Sequence, residues 1–179
     1  MTPEPTPSQT VGPFFHDALL AEDWSRLVDP ADPSAIRISG TVYDGAGDPV
    51  PDAMLEIWQA DADGRYPRSG AGFSGFGRCG TDANGRFEFV TVSPGPVAEP
   101  DGRSQAPHIA VSVFARGLLK RLVTRIYFPE EEGANAEDPV LASVQDPDFR
   151  STLLARAVDG GYVFDVRLQG EKQTVFFDV

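Results

Sequence analysis

The sequence predicts a mainly β protein: an antiparallel β-sandwich with short helices in its connections and an extended N-terminal arm. Short segments that alternate apolar and polar residues recur along the chain, and Gly and Pro residues separate them. Many short strands separated in this way are typical of sandwiches and barrels. The 179 residues, 41% of them hydrophobic, suffice for one domain with its own core.

The alternation is clearest in residues 36–44, where Ile36 and Ile38 occupy every second position and therefore share one face of a strand. Gly and Pro residues over 45–49 predict a turn, and residues 53–59 are interpreted as the return strand. The other predicted strands are residues 86–91, 109–115, 122–128, 163–168 and 174–178.

Short helices are predicted in the connections. Two Asp-Pro pairs, at 138–139 and 146–147, each place a capping acid before a Pro, and Pro suits the first position of a helix. Residues 21–27 are predicted to form one or two further helical turns.

The first 15 residues are predicted to be an arm that packs on a partner subunit, and residues 16–179 to be the single β-sandwich domain. Pro at positions 3, 5 and 7 favours extended backbone without ladder hydrogen bonds. A frayed terminus is the simpler alternative. Phe14 and Phe15 favour the arm, because two adjacent aromatic rings would be costly to leave in water.

Charge and cysteine content exclude several classes of function. The formal net charge of −12 argues against binding to nucleic acid or to an anionic membrane, since both need a dense basic surface. The single cysteine, Cys79, excludes an internal disulfide and a CxxC metal site. No signal peptide or membrane-spanning apolar run is recognisable, so we expect a cytoplasmic protein.

His108 begins the predicted strand with the highest density of β-forming residues. Residues i and i+2 of a strand share a face, so a His-x-His pair at this point would offer two imidazoles to one metal ion. The i+2 position is Ala110, which has no lone pair to give. A local metal site therefore lacks its second ligand.

Several motifs, spread over nearly the whole chain, resemble those of the intradiol ring-cleaving dioxygenases. They are residues 6–14 (TPSQTVGPF), 40–44 (GTVYD), 55–61 (LEIWQAD), 106–109 (APHI), 114–117 (FARG), 124–128 (TRIYF) and the tail 168–179. Each motif alone is weak, but together they are specific.

This family holds a ferric ion with two tyrosinates and the two imidazoles of a His-x-His pair, and hard phenolate oxygens suit Fe(III). The present chain departs from that pattern at three of the four ligands. It carries Ala110 for the second His, Val97 for the Tyr of a Pro-Gly-Pro-Tyr turn, and no Tyr over 67–85, where the other is expected. Gln105 also replaces an expected Arg. His108 is thus the relict of a ligand set, with a structural role.

Such losses are typical of the alpha subunits of this family, so the resemblance implies a hetero-oligomer in which a beta subunit holds the Fe(III). The implied reaction is intradiol cleavage of protocatechuate (3,4-dihydroxybenzoate) by O2 to 3-carboxy-cis,cis-muconate. No catalytic or metal-binding residue is expected in this chain. The resemblance implies that it lines the substrate pocket with Thr10, Gly12, Pro13, Phe14 and Arg116.

Physical reasoning agrees with three of these assignments. Gly12-Pro13 lets backbone approach a flat ring closely, and the Arg116 guanidinium can pair with the carboxylate of a benzoate-type substrate. For Arg116, a weak surface salt bridge is the simpler alternative. Arg125, where a Gln near the metal is expected, is interpreted as filling the vacated site.

Two other functions remain open at this stage. The chain could be a non-catalytic binding or scaffold module derived from such a dioxygenase. It could also be a self-sufficient enzyme that binds its metal through unusual ligands.

Overall fold

In a computed structural model of the chain, the described residues are 7–20, 23–67 and 72–178. They form two β-sheets around one shared core, the mainly antiparallel sandwich that the sequence predicts. The strands are β1 Ala35–Tyr43, β2 Met54–Gln59, β3 Phe76–Gly80, β4 Arg86–Val92, β5 Val97–Ala98, β6 Ser104–Gln105, β7 His108–Phe114, β8 Leu122–Tyr127, β9 Arg156–Val158, β10 Gly161–Val163 and β11 Val166–Arg167. The helices are α1 Pro13–Leu19, α2 Glu132–Glu137, α3 Pro139–Ser143 and α4 Pro147–Ser151.

The first sheet is built around β1. One edge of β1 pairs antiparallel with β4, and its other edge pairs parallel with β10 and then β11. Strand β9 extends this sheet beyond β10. The second sheet has the antiparallel order β3-β2-β7-β8, and β5 and β6 form a separate two-stranded ribbon.

The core lies between the sheets because each strand turns alternate side chains inward. Ile38 and Phe89 of the first sheet and Ile57 and Val111 of the second are almost fully buried and belong to one apolar cluster. Several intervening positions of the second sheet face outward: Trp58 is exposed, and Glu56 and Ser112 are half-buried.

Two predicted segments take a different course. Strand β2 is not the return strand of a hairpin with β1, since it pairs with β3 and β7 in the other sheet. The predicted helical turn over 21–27 is wrong for residues 23–27, the part that the structure describes. There, Trp24 and Arg26 form isolated β-bridges to Arg78 and Val90.

The C-terminal strands are also shorter than predicted. The expected strand over 163–168 breaks between β10 and β11, where the Phe164 carbonyl lies so close to Gly40 that a Cβ at this glycine would sit 1.8 Å from its oxygen. The expected strand over 174–178 is reduced to one bridge, between Phe177 and Val123.

Helices α3 and α4 confirm the two predicted Asp-Pro starts. The Asp138 side chain accepts hydrogen bonds from the amides of Val140 and Leu141, and the Asp146 side chain accepts one from Asp148. Within the described ranges, the helices are all too short and too polar to cross a membrane.

Helix α1 is an element that the sequence did not predict. It begins at Pro13, the residue type that suits a first helical position, and it crosses the expected boundary between arm and domain at residue 15. The part of the arm over 1–6 lies outside the described residues. The packing of the arm on a partner stays a prediction.

Candidate functional site

Arg116 lies in the turn that follows β7. Ala115 is buried, and Gly117 has a φ of +84°, a left-handed conformation that favours glycine. The chain therefore turns sharply away from the sheet just after Arg116. As a result, 77% of the Arg116 side chain is exposed, and it can reach beyond its own domain.

The N-terminal segment is held against this turn. The Gly117 amide donates a hydrogen bond of 2.8 Å to Thr10 Oγ1, and the Phe15 ring packs on Phe114 with 5.5 Å between ring centroids. Thr10 and Arg116, more than 100 residues apart in sequence, are thereby brought to one surface.

Gly12, Pro13 and Phe14 continue from Thr10 along the same segment. Gly12 is the N-cap of α1, and its carbonyl accepts a 3.0 Å hydrogen bond from the Phe15 amide. All three residues are exposed, and Phe14 is 80% exposed. A Cβ added to Gly12 would meet nothing within 4 Å, so packing among the described residues does not require a glycine there.

Asp52 joins this surface although the sequence did not point to it. The Arg116 Nε donates to Asp52 Oδ2, and His16 Nε2 lies 2.8 Å from the Asp52 carbonyl oxygen. Because a carbonyl can only accept, this Nε2 carries the proton. Asp52 is 64 residues from Arg116, and no local sequence pattern could have connected them.

His108 lies elsewhere, at the start of β7 and buried. Its Nδ1 donates to the carbonyl oxygen of Ala106 at 2.8 Å, which orients the ring. Burial lowers the pKa of His108 below its usual range, and the nearby Arg125 cation lowers it further. The imidazole is accordingly neutral near pH 7.

Two of the three altered ligand positions, Ala110 and Val97, are linked through their strand partners Arg125 and Gln105. Val97 pairs with Gln105 in the small ribbon, and Arg125 pairs with Ala110 across the β7–β8 ladder. Arg125 Nη1 donates to Gln105 Oε1 at 2.7 Å and to the Tyr127 hydroxyl at 3.3 Å. The positively charged guanidinium of Arg125 therefore lies close to these positions.

This donor set does not fit a ferric ion. His108 offers a single imidazole, which has only Nε2 free because Nδ1 donates to Ala106. The side chains of Ala110 and Val97 have no lone pair to give, and the Arg125 cation repels a second cation. Among the described residues, no group of three or more His, Cys, Asp or Glu side chains could hold a metal ion.

Comparisons with known proteins identify relatives of the chain. Residues 10–170 match a family described as Dioxygenase. The chain is 45% identical over 192 residues to the protocatechuate 3,4-dioxygenase alpha chain of Pseudomonas putida, an alignment covering 97% of this chain and 96% of that one. It is also 34% identical over 192 residues to the protocatechuate 3,4-dioxygenase beta chain of Burkholderia cepacia, covering 93% of this chain and 77% of that one.

A solved structure shares the fold. The dioxygenase domain of a dioxygenase–carbohydrate-binding fusion protein from Streptomyces sp. SirexAA-E superposes with a TM-score of 0.60 at 29% identity, covering 96% of this chain and 100% of that one. The family match and the full-length relatives lead to one conclusion: the chain belongs to the intradiol dioxygenase family, whose members depend on iron.

Proposed function

We propose that this chain is the alpha subunit of a protocatechuate 3,4-dioxygenase and that it completes the substrate pocket of an iron-bearing beta subunit. The enzyme opens the ring of 3,4-dihydroxybenzoate with O2 between the two hydroxyl-bearing carbons, giving 3-carboxy-cis,cis-muconate. The observation that carries the proposal is the hydrogen bond from Gly117 to Thr10. It assembles Thr10, Arg116 and the exposed 12–14 segment into one outward-facing surface.

The exposure of this surface supports a role toward another chain. Phe14 is an aromatic ring left in water, and nothing among the described residues requires the glycine at position 12. Such features are expected where a ring or a partner backbone approaches from outside. The similarity to both an alpha and a beta chain supports an alpha–beta assembly.

The donor set around His108, which does not fit a ferric ion, supports a separation of roles in which the beta subunit holds the iron and this chain helps to bind the substrate. The iron of the beta subunit would supply coordination of the catechol oxygens and the reaction with O2. The residues of this chain bind and orient the substrate: Arg116 pairs with the carboxylate, and the 12–13 backbone borders the ring. A scaffold module without a role in turnover is the alternative, and the poor fit of the His108 site to a metal is equally compatible with it.

Substituting Arg116 in the assembled enzyme tests the proposal. A charge-assisted pair in a partly desolvated site contributes about 1.5–3 kcal/mol. We therefore expect Arg116→Ala to lower kcat/KM for protocatechuate by about tenfold to a hundredfold. Unsubstituted catechol has no carboxylate and should lose much less. Arg116→Lys should fall between, because an ammonium keeps the charge without the planar fork.

The matched control is Arg37→Ala. Arg37 is also an exposed Arg in an ion pair, with Glu88 at 2.8 Å, but it belongs to the other sheet. This variant should retain both activities, and iron content should be unchanged in all variants. Equal losses for both substrates in Arg116→Ala would contradict carboxylate recognition, and no loss in either would favour the scaffold alternative.

A further inference from the structure

We infer that Asp52 is a positioning residue for this site: it holds the Arg116 guanidinium so that the two terminal nitrogens face the carboxylate of the aromatic substrate. The inference rests on the proposed function, because it concerns how the same Arg116 is prepared to bind.

The contact between the two side chains engages one particular edge of the guanidinium. Arg116 Nε donates to Asp52 Oδ2, and the group is planar with five N–H donors in fixed directions. With Nε occupied, the edge formed by Nη1 and Nη2 points away from the side-chain stem. Two parallel N–H groups on that edge match the two oxygens of a carboxylate.

Asp52 is a firm anchor for such a contact. The Thr81 hydroxyl donates to the Val50 carbonyl oxygen at 2.7 Å and accepts from the Ala53 amide at 3.0 Å. The backbone before and after Asp52 is thereby hydrogen-bonded to the Thr81 side chain. The bond from His16 to the Asp52 carbonyl oxygen also connects helix α1 to the backbone of Asp52.

Orienting the guanidinium matters because Asp52 is the one hydrogen-bond partner of the Arg116 side chain among the described residues. An exposed arginine samples many rotamers, and a substrate that orders one of them pays that entropy on binding. An arginine already oriented by Asp52 loses less. The opposite effect is also physically possible, since Asp52 could compete with the substrate carboxylate for Arg116. The two effects change KM in opposite directions, so substitution separates them.

The experiment compares Asp52→Ala and Asp52→Asn in the assembled alpha–beta enzyme. We expect Asp52→Ala to raise KM for protocatechuate by about threefold to tenfold, with kcat nearly unchanged. KM for catechol should stay within about twofold. Asp52→Asn should remain close to the parent enzyme, because its amide oxygen still accepts the Nε–H bond. The matched control is Glu88→Ala, which removes the acid of the exposed Arg37–Glu88 ion pair on the other sheet. This variant should leave KM unchanged for both substrates.

Gel filtration and iron content establish first that each variant assembles. A purely structural role of Asp52 would affect both substrates alike, which would overturn the inference. A lower KM for protocatechuate in Asp52→Ala would overturn it as well, since it would indicate competition. In an Arg116→Ala background, removing Asp52 should have no further effect on protocatechuate, and an additional loss there would contradict positioning through Arg116.

The two hypotheses fail in different ways. If Arg116→Ala itself shows no preferential loss for protocatechuate, the carboxylate-binding role that the proposed function gives to Arg116 is wrong. If Arg116→Ala shows that loss and Asp52→Ala does not, only the positioning role is wrong.

Discussion

His108 shows how the surroundings of one residue decide its chemistry. The sequence alone placed it at the start of a strand, two residues before Ala110, and the resemblance made it the remnant of a ligand pair. The structure adds the reason for its neutrality: a buried ring beside the Arg125 cation, with Nδ1 bonded to Ala106. A neutral imidazole in this position orders the strand end without demanding a counter-ion.

This lowered pKa predicts a pH dependence of stability. In the unfolded chain His108 takes up a proton near its ordinary pKa of 6.5, whereas the folded chain resists protonation. The unfolded state therefore binds more protons below pH 6.5, and stability falls as the pH falls. The slope from one group cannot exceed about 1.4 kcal/mol per pH unit.

Urea denaturation of the parent protein and of His108→Gln between pH 5 and pH 7 measures this contribution. We expect the free energy of unfolding of the parent to fall more steeply toward pH 5 than that of the variant, since glutamine does not titrate. Parallel profiles would mean that His108 titrates alike in the folded and unfolded chains.

Among the short helices, the two Asp-Pro starts look equivalent in sequence and differ in structure. Asp138 is fully buried and also accepts from the Ala106 amide at 2.8 Å and the Tyr127 hydroxyl at 3.1 Å. Asp146 is exposed and caps only its own helix. Asp138 thus ties helix α3 to the strands that carry the His108 site.

The two caps should therefore tolerate replacement very differently. Asp138→Ala leaves buried donors without acceptors, each costing about 1–3 kcal/mol, and we expect a total loss of at least about 3 kcal/mol in the free energy of unfolding. Asp146→Ala should cost only about 1 kcal/mol. Urea denaturation of both variants measures the difference, and similar losses would show that the buried network adds nothing to the cap.

Strands were predictable where one face of a segment is buried. Residues 36–44 and 86–91 lie within a residue or two of β1 and β4 because apolar residues alternate there. Strand β3 was missed because its glycines resemble a loop. A Cβ at Gly77 would meet the Leu27 side chain at 2.6 Å, so close packing against a distant segment, which no local pattern reveals, explains this glycine.

The sheet to which β2 belongs could not be predicted for a similar reason. A Gly- and Pro-rich turn between two apolar segments is typical of a hairpin, and Tyr43 and Pro49 do form one antiparallel bridge. Beyond this bridge, β2 pairs with β3 and β7, whose paired residues lie 18 to 60 positions away in sequence. The contact between Asp52 and Arg116 could not be predicted from a local pattern either, because 64 residues separate them in sequence.

At the scale of the whole molecule, the arm offers a direct test of the partner surface. Phe14 is 80% exposed, whereas its neighbour Phe15 packs on Phe114. We expect Phe14→Ala to change the stability of this chain by no more than about 0.5 kcal/mol and to weaken association with the beta subunit by about tenfold or more.

Phe15→Ala is the contrasting variant, because it removes a contact within the chain and should lower its stability directly. Analytical ultracentrifugation measures the association and urea denaturation the stability. Unchanged association in Phe14→Ala would place this ring outside the interface, and the assignment of Phe14 to the substrate pocket would then need other support.

The outer face of the second sheet has a spectroscopic consequence. Both tryptophans of the chain lie next to Phe76 on this face. The Trp24 ring contacts the Phe76 ring edge-on. Trp58 is the partner of Phe76 in the β2–β3 ladder, and its ring stacks on Tyr66. The indoles are 42% and 41% exposed, and the arm contains no tryptophan. Fluorescence excited selectively in the indoles therefore reports on this face alone. A blue shift when a tryptophan-free partner is added would show that the partner covers this face of the sheet, and an unchanged emission maximum would show that it binds elsewhere on the chain.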